Sequence, residues 1–351
     1  MSTFNGRKLK IEIYGESHSE KIGVKASGLP KILIDREKLK EFTDRRKAVS
    51  AQYSTSRIEK DEPIFYGICG DILDGEFTAE IINGNTRSGD YGNLYGKPRP
   101  SHADYAWHLK DGALDFTGGG RFSGRMTAPF CIIGGVLKQY LETLGIRIHA
   151  FVSKIGKIQA RSYKDGEISE NEILEFRREG FPSLDKKDEI TAEISAAKKS
   201  GNSLGGVIDC CVFGMPGGIG DNLFGGLEGK ISELLFSVPA VKGVEFGSGF
   251  KGAENTGKDE NDQMRYKDGK VVFLSNNSGG INGGISNGNV ITMSVAIKPT
   301  ASIPLPQKTV DLKNKTDAEI QISGRHDCCI APRAVPVIES AVAIALTDQL
   351  L

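Results

Sequence analysis

Two histidines in this sequence stand where an imidazole can do proton chemistry. His18 lies in "YGESHSE", just past a short alternating segment, and His102 lies in "PRPSHADYAW". Both have polar neighbours at turns, not the apolar neighbours of a core histidine. An imidazole so placed can give or take a proton near neutral pH. A third, His326, sits in "SGRHDCCIAPRA" between Arg325 and Asp327. His108 and His149 have no such setting and read as structural or solvent-facing. Arginines gather at similar places. Arg45, Arg46, Arg57, Arg121, Arg125, Arg325 and Arg333 all fall at glycine-rich or hydroxyl-rich turns. The guanidinium fork matches phosphate and carboxylate, so the set suggests a small, multiply anionic ligand. Taken singly, each arginine could equally belong to a solvated charged face.

Glycine raises a second question. Residues 276–288, "NNSGGINGGISNG", carry the pairs Gly279-Gly280 and Gly283-Gly284. Such a run is either a flexible surface loop or main chain kept bare so that a ligand can rest on it. Two phosphate-loop patterns fail on context. "GSGFKG" at 247–252 matches G-x-G-x-x-G, but polar "AENTGKDEND" follows it where a helix is required. "GGLEGKIS" has Phe224 in place of the first P-loop glycine and Ile231 where a magnesium-binding hydroxyl belongs.

The elements that must position these residues are mixed. "LKIEIYGES" is a short strand turning at Gly15. "DREKLKEFTDRR" is a helix capped by Asp35 with Leu39 and Phe42 inward. Residues 83–108 are turn-rich and long for a connection, which points to function. An apolar helix runs from about Arg125 to Leu144, and its Gly134-Gly135 implies close packing. A charged helical stretch covers about 169–199 with a break at Pro182. "NLFGGLEGKISELLFSV" is helical. Residues 251–270 look like an excursion loop. "VITMSVAIKPT" alternates, with Ile291, Met293, Val295 and Ile297 inward and Thr292 and Ser294 outward. "AVPVIESAVAIALTDQLL" is an apolar helix buried on more than one side or at a subunit contact. Without regular strand–helix alternation, the class is α+β.

Composition narrows the function. The chain has 351 residues, 44 of them glycine, and 45 basic residues balance 45 acidic ones. Zero net charge argues against nucleic acid as a partner. No apolar stretch has signal-peptide length or spans a bilayer, so a cytoplasmic protein without membrane contact is expected. The six cysteines lack C-x-x-C spacing. Adjacent Cys210 and Cys211 would face opposite sides of a strand, so they read as reduced apolar residues and no metal site is expected.

Together these segments resemble chorismate synthase. The matches run in order along nearly the whole chain: "GESHS" (family GESHG), "DRR", "NTRSGDYGNLYGKPRPSHADYAW" (R-P-G-H-A-D-Y), "GGGRFSGRMTA" (GGRSSARETA), "GMPGGIGDNLFGGLEGKISELLFSVPAVKGVEFGSGF", "NNSGGINGGISNG", "IKPTASI" and "GRHDCCIAPRAVPVIESAVAIAL". No motif decides alone, but all of them in register are specific. The resemblance implies one domain over residues 1–351, built as a β-α-β sandwich with helices between antiparallel sheets and assembled as a homotetramer. It implies 1,4-elimination of phosphate from 5-enolpyruvylshikimate 3-phosphate to give chorismate, with reduced FMN and no net redox change. NADPH as reductant is left open.

Residue roles follow by the same resemblance. His18 would protonate the leaving phosphate, and His102 would balance charge at the pyrimidine end of the flavin. Asp327 would help the flavin accept the substrate's ring proton. Arg46, Arg57, Arg125 and Arg325 would hold substrate. Arg121, Phe122, Ser123, Pro239, Ala240, Gly283, Lys298, Pro299, Thr300, Ala301, Ser302 and Arg325 would contact FMN. The sequence departs from the family pattern at Ser19 and Ser101, which replace glycines beside both histidines, and at Gln52, Phe122, Gly124, Met126 and Cys328. The alternative is a non-catalytic or substrate-shifted relative that binds flavin or a phosphorylated acid.

Overall fold

The computed structural model describes residues 1–47, 60–84, 94–116, 118–178, 181–322 and 326–351. Its frame is two five-stranded antiparallel sheets with helices against them. The first sheet contains β1 (Ser2–Asn5), β2 (Lys10–Tyr14), β3 (Lys21–Leu33), β4 (Ile64–Tyr66) and β5 (Ile72–Ile82), in the order β1-β2-β3-β5-β4. The second contains β6 (Arg147–Ile155), β7 (Ile158–Gln159), β8 (Gly206–Phe213), β9 (Val241–Phe246) and, after the four strands of two small hairpins, β14 (Ile291–Ile297), in the order β7-β6-β8-β14-β9. The hairpins are β10 (Met264–Lys267) with β11 (Lys270–Phe273), β12 (Ile281–Asn282) with β13 (Ile285–Ser286), and β15 (Gln307–Asp311) with β16 (Thr316–Ile320). This is an α+β chain.

Helix α1 (Arg36–Asp44) begins where Asp35 accepts hydrogen bonds from the amides of Glu37 and Lys38, and it buries Leu39 and Phe42. Helices α2 (Asp104–Asp111) and α3 (Thr127–Thr143) follow, then α4 (Glu170–Arg178), α5 (Lys187–Lys199), α6 (Leu227–Ser237), the short α7 (Gly257–Glu260) and α8 (Ala331–Leu350). Helix α3 packs on β3 and β5 of the first sheet and on α8, while α8 packs on β6 and β8 of the second. Every residue of α8 from Ala334 to Asp348 is buried. No helix among the described residues is long and apolar enough to cross a membrane.

Two sequence expectations change. The 251–270 stretch is not loop alone: it carries α7 and opens the β10–β11 hairpin, turned by Asp268-Gly269 at positive φ. Strand β14 is buried on both faces rather than one. Thr292 and Ser294 are 6% and 4% exposed, because a second apolar cluster of Phe151, Ile168, Ile173, Leu184 and Cys211 lies on the sheet's other side. Cys210 and Cys211 do face opposite clusters, and all six cysteines are free.

A close joint in the frame is α3 on α8. A Cβ at Gly134 would overlap the Cβ of Ser340, so the helices meet only because that position is bare. Replacing Gly134 by Val is expected to destabilise the fold by about 2–3 kcal/mol, the upper range for over-packing a dense core. Urea unfolding measures this, and an unchanged midpoint would contradict the contact.

Candidate active site

The turn after β2 carries His18, and its backbone is closed by one side chain. Ser19 Oγ donates to the carbonyls of Glu16 and Lys21 at 2.8 and 2.7 Å and lies 2.9 Å from the Glu16 amide. The extra Cβ at this position is therefore used as a brace. His18 Nδ1 lies 2.9 Å from Ser17 Oγ. The imidazole rests on the glycine run that precedes α3. A Cβ on Gly118 would stand 2.5 Å from His18 Cε1 and 2.6 Å from Nδ1, and Gly118 has φ +61. Only glycine satisfies both demands.

The same glycine joins the two histidines. Arg99 Nη2 donates to the Gly118 carbonyl at 2.7 Å and to Asp104 Oδ1 at 2.8 Å, and Arg99 Nε donates to Asp104 Oδ2 at 2.7 Å. His102 Nδ1 lies 2.5 Å from Asp104 Oδ1 and 3.2 Å from Arg99 Nη2. A proton on Nδ1 pointed at the carboxylate fixes the ring and its tautomer. Burial works against the charge on Asp104, but hydrogen bonds from Arg99 and then His102 outweigh it and hold its carboxyl down at about 2.

Beyond Ser19 lies a cluster of buried charged groups. Asn83 Nδ2 donates to the Ser19 carbonyl at 2.7 Å, and Asn83 Oδ1 accepts from Arg125 Nε at 3.0 Å. Arg125 Nη1 pairs with Asp61 Oδ1, whose other oxygen lies 3.2 Å from Arg46 Nη1. Arg46 is also held by Thr127 Oγ1 at 2.8 Å and by the Gly124 carbonyl at 3.0 Å. Both arginines are buried. Burial, followed by repulsion from Arg333, pulls Arg46 down to about 10. It remains charged at neutral pH, in surroundings short of negative charge. Arg333 Nε donates to the Arg46 carbonyl at 2.9 Å, and Arg333 Nη1 lies 2.5 Å from Asp327 Oδ2. Contacts thus run from His102 to Gly118 beneath the His18 ring and, from the Ser19 carbonyl next in the chain, on to Asp327. Asp61, Asn83, Arg99, Asp104 and Arg333 complete that line; the sequence singled out Arg333 among the turn arginines and gave the other four no role. The spacing Arg99–His102–Asp104 was visible, but Asp61 in "EKDE" looks like part of a solvated charge run.

The expected flavin residues divide. Ser123 Oγ accepts from the Arg125 amide at 3.2 Å, the Arg121 guanidinium lies 4.5 Å from the Trp107 ring centre, and Phe122 meets Trp107 edge-on. Lys298 binds the Ala240 carbonyl through its amide at 2.9 Å, and its Nζ reaches the Ser101 carbonyl beside His102. Burial and then Lys242 lower the Lys298 ammonium. Pro239 immediately precedes Ala240, and Pro299 packs on Gly205. The Thr300 carbonyl accepts from Ser203 at 2.7 Å, Ala301 follows it, and Ser302 is buried.

Gly283 stands elsewhere in the chain. Its neighbour Gly284 packs on Gly226 at the start of α6, whereas Ala240 lies past that helix's end. The 11 residues of α6, about 16 Å of helix at ~1.5 Å per residue, run between the Gly226 contact and Ala240 in the chain. The glycine question has a mixed answer. Gly279 is pressed on Gly247, Gly280 on Ile291, and Gly284 on Asp221, all main chain to main chain, while a Cβ on Gly283 would meet nothing within 4 Å. Arg57, Arg325 and Gln52 lie outside the described residues.

Buried guanidinium groups, two braced imidazoles and a carboxylate are the kinds of group that hold a multiply charged anion and move protons. The family profile described as chorismate synthase matches residues 9–351. Chorismate synthase of Pyrococcus abyssi is 40% identical over 350 residues, 99% of this chain and 97% of that protein. That of Lancefieldella parvula is 42% identical over 366 aligned positions, 99% and 96% of the two. A solved structure titled "Crystal Structure of Chorismate Synthase" superposes with a TM-score of 0.74 at 26% identity, covering 99% of this chain and 92% of the other. The chain belongs to the chorismate synthase family, whose members are lyases that eliminate phosphate.

Asp104 ties the His102 arm to acid stability. Its carboxyl lies lower in the folded chain than its ordinary 3.8. The stabilisation is therefore complete above about pH 4 and is lost as pH falls through about 2. The gap corresponds to about 2 kcal/mol. Asp104→Asn should cost about that much at pH 7 and much less near pH 2, by denaturant unfolding at both. Equal costs at both would refute the assignment.

Proposed function

We propose that the protein is an active chorismate synthase and eliminates phosphate from 5-enolpyruvylshikimate 3-phosphate within the Arg46–Arg125 cluster. The observation that carries this reading is the path of contacts from His102 past His18 to Asp327 by way of those two arginines. The substrate bears a phosphate and two carboxylates, and buried arginines hold such groups by charge-assisted bonds. With Ser17 Oγ donating to Nδ1, His18 would carry its proton on Nε2 and pass it to the departing phosphate. Asp327, aligned by Arg333, would assist removal of the ring proton. His102, aligned by Asp104, would balance negative charge on the cofactor.

Reduced FMN, when bound, would supply the electron density that eases cleavage of the substrate's carbon–oxygen bond. The residues present suit that group. Arg125 Nη2 and Thr300 Oγ1 are buried polar atoms without a partner among the described residues, as groups awaiting a ligand would be. Arg121, Phe122, Ser123, Pro239, Ala240 and the Lys298–Ser302 run would surround it, together with Arg325. NADPH is kept as a candidate reductant. Residues 1–351 would act as one domain in the family's β-α-β sandwich, since α3 and α8 link both sheets. Six free cysteines suit a reducing, cytoplasmic setting.

A homotetramer is part of the proposal. Leu223 and Phe224 are 84% and 93% exposed, close to Gly226 and hence to Gly283-Gly284. An apolar tip beside a bare hairpin suits contact with a second copy of the chain. Phe224→Asp should shift sedimentation toward smaller species. An unchanged profile would remove this surface from the interface.

The central test is anaerobic turnover with reduced FMN, run with and without NADPH. Chorismate and phosphate should form together. His18→Ala and Gly118→Ala should each lower kcat by roughly tenfold to a thousandfold, the scale of a proton-transfer contribution, with FMN affinity little changed. FMN binding without turnover in the wild type would instead identify a non-catalytic relative.

A further inference from the structure

A second charged site lies away from the one above. A cavity of about 110 Å³ opens where α4 and residues 181–184 approach β6 and the first turns of α8. Its apolar walls come from Ile173, Phe176 and Leu184 and from Pro332 and Pro336, and Arg45 and Arg177 add charge to the lining. These two guanidinium groups share one carboxylate. Arg45 reaches both oxygens of Glu339 at 2.8 and 2.9 Å, and Arg177 Nη2 lies 3.0 Å from Glu339 Oε1. Lys138 Nζ stands 4.0 Å from the other oxygen and is shared with Glu142 at 3.4 Å. Among the described residues, Arg45, Arg177 and Lys138 stand against Glu339 and Glu142, one positive charge in excess. His149, next to the lining residue Ala150, lies 2.7 Å from Glu170 Oε1, and burial, then Lys138, push its imidazole down to about 4. Arg45 and Arg177 are 23% and 27% exposed at the side chain, whereas Glu339 is fully buried. The two arginines are accessible, and the carboxylate that holds them is not.

We infer that this cavity binds a small organic monoanion: a compact planar or branched apolar body in the pocket, with its carboxylate on Arg45 and Arg177. At about 110 Å³ the cavity is smaller than the roughly 150 Å³ that accepts benzene, so it takes part of such a body and leaves the rest at its mouth, where the two arginines are accessible. The excess charge supplies the polar anchor, as in pockets that are mostly apolar with a few placed polar groups. The inference does not depend on the function proposed above, because Arg45 turns to Glu339 while Arg46 turns to Asp61.

The experiment is fluorine NMR titration of the full chain with 4-fluorobenzoate, and with 4-fluorobenzamide as its uncharged counterpart. Saturable binding of the acid is expected, with the amide weaker by about tenfold or more, the equivalent of one charge-assisted hydrogen bond. Arg177→Gln should weaken the acid by a similar factor, with Glu339 still held by Arg45. Leu184→Phe, which fills the pocket and leaves every charge in place, should abolish binding. Absence of saturable binding to the wild type overturns the inference. So does an affinity unchanged in both variants, which would locate the acid at another cluster such as Arg46 and Arg125.

Discussion

One carboxylate without access to solvent fixes where the arginines of the candidate site stand. Glu339 is fully buried within α8. It accepts from Arg45 at the end of α1, from Arg177 of α4 and from the Ala150 amide of β6, with Lys138 of α3 nearby. Removing such an ion from water costs several kcal/mol and is offset only by full pairing. Here burial opposes the charge, and Arg45, Arg177 and Lys138 outweigh it, so the carboxyl is held well below its usual range. The consequence is geometric. Five elements must arrive in one register, or the charge is left unpaired. Arg46 is the next residue along, and its carbonyl is gripped by Arg333 of the same helix. Helix α8 therefore clamps the end of α1 at two points and presents Arg46 to Asp61.

Absent side chains do as much positioning as present ones. Gly134 lets α3 reach α8, which brings Arg125, at the entry of α3, beside Arg46. Gly118 lets the His18 ring lie on main chain and at the same time offers its carbonyl to Arg99. Both positions exchange side-chain bulk for close approach. The glycines of 276–288 mostly serve the same purpose inside the chain, and Gly283 alone keeps an open face. Asp61 shows the converse. It holds φ at 52, a left-handed conformation that disfavours a Cβ, and the two arginines that bind its carboxylate hold it there.

What the sequence revealed follows from range. Local signals were readable: the Asp35 cap, the inward Leu39 and Phe42, the Gly134-Gly135 packing site, and histidines set in polar turns. Each depends on neighbours within a few positions. The partners that orient those histidines depend on distant ones. Asn83 meets Ser19 and Arg125 meets Asp61 across more than sixty residues, and no local pattern encodes that. Strand β14 misled for a similar reason. Alternation in its sequence marks one core, but Ser294 is buried by its bond to Asp209 on the far face. The β10–β11 hairpin was within reach, because Asp268-Gly269 is a standard two-residue turn signal that the polar setting obscured.

The two serines that stand where the family has glycine separate tolerance from strain. At Ser19 the added atoms close the turn with hydrogen bonds to Glu16 and Lys21, so the substitution replaces backbone freedom with a brace and leaves His18 supported. At Ser101 the backbone has φ 58, and a Cβ there costs about 1 kcal/mol. Nothing in the serine side chain offsets this. Its carbonyl, however, receives Lys298 Nζ, which ties the turn to the far end of β14, and Arg99 with Asp104 anchors the other side. The strain is thus carried by contacts that also aim His102. Drift beside a catalytic residue is tolerated where longer-range bonds already fix the backbone, and here they do so on both sides of the turn.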